Sequence, residues 1–110
     1  MFARIGESQA LESLIERSNQ SPVVIFKHSL TCPISAAAYD QMTGFEGEVA
    51  LLEVQRAREL SNEIENRFKI THESPQVIVL SRGKPVWNAS HFNITSAAVA
   101  AAVRDAQNGS

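Results

Sequence analysis

Cysteine is almost absent from this 110-residue chain, which has one, Cys32. A single thiol cannot close an internal disulfide. A disulfide-stapled scaffold is therefore excluded, any disulfide must reach another molecule, and a reducing compartment, the cytoplasm, is the expected location. One cysteine and three scattered histidines also lack the spacing of a structural zinc site, so no metal is expected. Basic clustering is missing: ten Lys and Arg are dispersed among twelve Asp and Glu, for a net charge of −2 and no interleaved aromatic stripe, which disfavours nucleic acid as a partner. Bilayer-length apolar runs, repeats and low-complexity tracts are missing too, so no membrane partner is expected. The opening "MFARIGES" shows none of the charged start, apolar stretch and cleavage site of a secretory signal. What is present is ordinary for a globular protein, 44% apolar and 20% charged, at a length that fits one domain over residues 1–110.

The periodicities order the elements. "SQALESLIERSN" sets Leu11, Leu14 and Ile15 on one helical face, with Ser8 as its expected N-cap. Val23 to Phe26 is a short, continuously apolar, β-branched run, the pattern of a strand buried on both faces. Pro33 suits the first position of a second helix, where a missing N–H is no loss, so Cys32 falls at or beside the N-cap. Glu48 to Val54 reads as a second strand, and "ARELSNEIENRFKI" as a helix striped by Leu60, Ile64 and Phe68. "QVIVL" and "PVWN" read as a hairpin turning at Arg82 and Gly83, and Thr95 or Ser96 caps a last helix. A parallel βαβ unit followed by a hairpin and a helix predicts an α/β, thioredoxin-like fold: a mixed four-stranded sheet with helices on both faces.

At a helix N-terminus a cysteine meets the positive end of the macrodipole and unpaired backbone N–H groups, both of which favour thiolate. Such sites bring a cysteine pKa from about 8.5 into the range of roughly 3.5–7.5, where it serves as nucleophile and leaving group. The bland alternative is a small buried hydrophobe, and a C-x-x-S pattern alone is a weak signal. Ser35 stands where a dithiol protein would carry its resolving cysteine. Its hydroxyl cannot resolve a mixed disulfide, and it is free either to bond the Cys32 sulfur or to bond back to its own helix. Lys27 and His28 end the central strand beside the site, where a cation would stabilise a thiolate or bind a substrate carboxylate; alternation puts them on opposite faces, so only one can approach Cys32.

"TCPIS" at the strand-to-helix turn, "ESPQ" before the hairpin and "WNASHFNIT" after it together resemble the monothiol bacilliredoxin family over nearly the whole chain. The resemblance implies a cytoplasmic thiol-disulfide oxidoreductase acting on mixed disulfides between protein cysteines and a low-molecular-weight thiol such as bacillithiol. Cys32 would be the catalytic group and Thr31, Pro33 and Ser35 its motif. Beyond the small thiol as co-substrate no cofactor is implied, and the partners are S-thiolated client proteins. The matching proline in thioredoxin-like proteins is cis and lies against the cysteine, which carries over to Pro75 and would offer the Ser74 backbone to an extended substrate. From the sequence alone, a trans proline opening a strand is the default. Trp87, Ser90 and His91 would form a substrate loop between the last strand and last helix, with His91 on an acidic group, or else a rim aromatic and a loop hydrogen-bonder. His72 reads as an exposed loop residue. Two other functions stay open: a binding module with inert Cys32 and an exposed Pro75 and Trp87 surface, and an iron-sulfur carrier like the monothiol glutaredoxins, whose motif has Gly and Phe where Pro33 and Ile34 stand here.

Overall fold

The computed structural model describes residues 1–109. Among these, the chain runs β1 (Phe2–Arg4), α1 (Ser8–Arg17), β2 (Val23–His28), α2 (Pro33–Thr43), β3 (Val49–Glu53), α3 (Arg58–Phe68), β4 (Gln76–Ser81), β5 (Lys84–Ser90), a 3₁₀ turn (His91–Asn93) and α4 (Ser96–Asn108). The sheet has five strands in the order β1-β3-β2-β4-β5, one more than the four expected. The additional strand is β1, three residues long, which pairs parallel to β3 with Phe2 opposite Val49.

β2 runs parallel to β3 and antiparallel to β4, and all six of its residues are buried, as its continuous apolar run requires of a central strand. Alternation along β2 separates two cores. Val24 and Phe26 pack beneath α2 and α4 with Met42, Val99 and Ala102, while Val23 and Ile25 pack beneath α1 and α3 with Leu11, Leu14, Leu60 and Ile64. The β4–β5 hairpin turns at Arg82 and Gly83, both at positive φ (55° and 78°), a geometry that glycine adopts without strain. Ser18, just past α1, holds this turn by accepting from Arg82 N at its carbonyl and from Gly83 N at Oγ.

Two local expectations are corrected. Glu7, not Ser8, occupies the N-cap of α1, and the Ser8 hydroxyl instead donates to Glu63 across to α3. β5 extends well beyond "PVWN", so Trp87 and Ser90 are strand residues rather than loop residues, and only His91 falls in the following turn. Thr95 caps α4 by accepting from Ala98 N.

Candidate active site

Three chain segments emerge at one end of the sheet. Lys27, next to the end of β2, pairs with Gln76 at the start of β4, and Gln76 in turn pairs with Ser90 at the end of β5. The turn carrying Cys32, the Ser74–Pro75 segment and His91 therefore leave the sheet side by side. His91 N donates to Pro75 O at 3.1 Å, and α2 packs against the 3₁₀ turn, which closes the group.

Cys32 is the N-cap of α2, extended at φ −104° and ψ 122°, with Pro33 as first helical residue. Its thiol is half-buried. The Cys32 carbonyl accepts from Ala36 N at 3.0 Å, opening the helix, and the amides of Ile34 and Ser35 have no acceptor among the described residues. The turn leading in is clamped by a residue that sequence reasoning missed. Gln55, just after β3, accepts from Leu30 N at 3.1 Å and donates to Ser29 Oγ at 2.8 Å and Thr31 Oγ1 at 3.3 Å. Nothing local marks Gln55; only the parallel β2–β3 pairing brings it there.

Ser35 is fully buried, and its Oγ bonds neither sulfur nor its own helix. It accepts from Ser29 N at 2.8 Å and pairs with His28 Nδ1 at 2.9 Å, tying the end of β2 to the first turn of α2. His28 packs against Tyr39 and Phe26 on that same face, at ring-centroid distances of 5.0 and 5.5 Å. Burial lowers the His28 pKa below its ordinary value, the Glu53 charge and a hydrogen bond to the Ser35 backbone opposing, so a neutral imidazole is favoured.

Lys27 takes no part in the His28–Ser35 cluster. It points to the opposite face, completely buried under α3, where Nζ donates to Ser61 O at 3.1 Å and lies 3.3 Å from His72 Nδ1. His72 is correspondingly half-buried rather than an exposed loop residue. Burial pushes the Lys27 ammonium down to about 8 despite the nearby Glu65 carboxylate.

The Ser74–Pro75 peptide is cis. Pro75 is buried, and the Ser74 Oγ is buried without a hydrogen-bond partner. Trp87, half-buried on the edge strand β5, lies opposite Val79 and lines a cavity with Arg82, Ala102 and Asp105. His91, at φ 55°, holds its Nε2 3.6 Å from Glu73 Oε1, so an acidic neighbour already faces it. Among the described residues no group of three or more His, Cys, Asp and Glu is gathered as a metal site.

Comparison with known proteins agrees with this geometry. The model of the family described as monothiol bacilliredoxin BrxC matches residues 3–99. The chain belongs to the monothiol bacilliredoxin family. A solved structure described as a proposed oxidoreductase with a thioredoxin fold is 36% identical, with TM-score 0.85 over 92% of each chain. Thioredoxin from Fasciola hepatica, 15% identical with TM-score 0.73 over 92% of this chain and 95% of that one, shares the fold. So does mitochondrial thioredoxin 3 from Saccharomyces cerevisiae in its oxidised form, 12% identical with TM-score 0.70 over 94% of each chain. A bacilliredoxin on a thioredoxin fold is a thiol redox protein, and no helix in the described residues is long and apolar enough to cross a membrane.

Proposed function

We propose that this bacilliredoxin removes a low-molecular-weight thiol, bacillithiol or a close relative, from mixed disulfides on protein cysteines in the reducing cytoplasm. One observation carries the reading: a lone half-buried thiol caps α2 while the position one turn on holds a buried, fully engaged serine. The site can therefore form a mixed disulfide but cannot resolve it internally.

The Cys32 thiolate attacks the small-thiol sulfur of the substrate disulfide. The new bond joins Cys32 to the small thiol, the old bond breaks, and the client cysteine leaves as a thiolate that takes up a proton. A second small-thiol thiolate then attacks the Cys32-bound adduct, freeing Cys32 and carrying away the symmetrical disulfide, which an external reductant must reduce. The small thiol is co-substrate, and no resident cofactor enters. Leu30, 44% exposed just before the motif, and Phe92, 72% exposed in the 3₁₀ turn, leave apolar side chains on both flanks of the site and support a protein as the other half of the substrate.

The test is de-thiolation of an S-bacillithiolated protein by wild type and by Cys32→Ser. Serine is a strong N-cap, so the variant should keep its melting temperature while losing all turnover. Turnover retained in that variant would end the proposal.

A further inference from the structure

A lysine completely buried in a central strand needs an explanation that the exchange chemistry does not provide. Lys27 occupies a sheet row between Leu52 of β3 and Gln76 of β4, under α3. Its ammonium donates to Ser61 O and lies 3.3 Å from His72 Nδ1, and Ser61 Oγ reaches the same ring nitrogen at 3.3 Å. His72 N donates to Glu65 Oε2 at 2.7 Å, and Gln76 Nε2 donates to Thr71 O at 3.1 Å. The buried Gln76 Oε1 has no partner, which leaves an acceptor on the same sheet face as the ammonium. Thr71 and His72 are thus tied to β2, α3 and β4 at once, three residues before Pro75.

We propose that Lys27 is a positioning residue for the exchange site: by donating to His72 it anchors the Thr71–Pro75 arm, and so places the Ser74 backbone that receives the incoming disulfide. This rests on the thiol-exchange reading above. A bond from the ammonium to Nδ1 requires that nitrogen to be unprotonated, so His72 is neutral and carries its proton on Nε2. Protonation at Nδ1 removes the acceptor and sets two cations 3.3 Å apart. The charges facing this pair are Lys27 from β2, Glu65 from α3 and Glu73 from the arm itself. Burial and then Lys27 lower the His72 pKa, while Glu65 and Glu73 act against them. The arm is therefore held at neutral pH and released on acidification.

The test uses the full chain labelled with ¹⁵N, as wild type, Lys27→Met and His72→Asn. Three quantities are measured: amide positions of Glu73 and Ser74 through an acid titration, KM for a glutathione or bacillithiol mixed-disulfide peptide, and the rate of Cys32 alkylation by iodoacetamide. Lys27→Met should move both amides and raise KM about tenfold or more, while alkylation keeps its wild-type rate because a small alkylating agent does not use the arm. His72→Asn keeps an acceptor that cannot be protonated, so it should hold the wild-type KM and lose the acid-dependent rise. Wild-type KM and wild-type amide positions in folded Lys27→Met would overturn the proposal, as would alkylation falling in step with exchange, since Lys27 would then act on the thiol itself. If the wild type exchanges no disulfide, the functional reading fails but the amide titration still decides the anchoring: acid-dependent shifts lost in Lys27→Met support it, and shifts retained overturn it. Should Lys27→Met not fold, His72→Ala is read by the same criteria.

Discussion

The Ser35 hydroxyl serves the Ser29 amide and the His28 ring in a site closed to water, so truncating it strands both. Ser35→Ala should lower unfolding free energy by about 1–3 kcal/mol in urea titration while de-thiolation persists, because the hydroxyl holds the turn rather than performing exchange. Ser35→Cys should convert the protein to dithiol behaviour, with an internal disulfide detected under added oxidant by a mass loss of two hydrogen atoms. Lys27 gives a pH signature of its own. Its folded pKa, about 8, lies below the ordinary 10.5, so between these values the unfolded chain binds more protons and stability rises with pH. Relative to Lys27→Met, wild type should gain up to about 3 kcal/mol across that window, measured as denaturant midpoints at each pH. The sign for His28 and His72 follows the same logic at lower pH. Both fold with lowered pKa values, so their contribution is present above the ordinary histidine pKa and is lost as pH falls through the lowered ones.

At the scale of elements, β1 is the part of the fold that local pattern could not supply. Three residues are too few to show an alternation, and their hydrogen bonds go to β3 far along the chain. Phe2 nevertheless packs on Tyr39 at 4.8 Å, and Tyr39 in turn packs at a tilt on His28, so this edge strand supports the end of β2 that leads into the cysteine turn. Phe2→Ala should destabilise the protein by about 1–2 kcal/mol in chemical denaturation, the share expected of a half-buried ring. By contrast β2, α2 and the hairpin were legible because each carries its own signal: a continuous apolar run, Pro33 at the first helical position, and Arg82-Gly83 between apolar strands. Alternation also placed Lys27 and His28 on opposite faces. It could not say that α3 would cover Lys27, because that depends on how the helix returns over the sheet. The burial of His72 and the clamp made by Gln55 escaped the sequence for a related reason: each residue sits in an aperiodic connection and finds its partners on other elements.

For the whole molecule, the sheet order explains why a chain with a single cysteine can carry redox chemistry. The parallel β2–β3 pair brings Gln55 to the cysteine turn, and the antiparallel β2–β4–β5 set brings Ser74, Pro75 and His91 to its other side. With a hydroxyl instead of a second thiol one turn on, the assembled site holds no group that could close an internal disulfide with Cys32. The measurement that tests this most directly is intact-mass spectrometry after incubation with oxidised bacillithiol and, separately, with oxidised glutathione, beside a Cys32→Ser control. One small-thiol adduct per wild-type chain, favouring one of the two compounds and absent from the control, is the predicted result. No adduct from either compound, under conditions where a free reference thiol is fully converted, would contradict the assignment of Cys32 as the exchanging group.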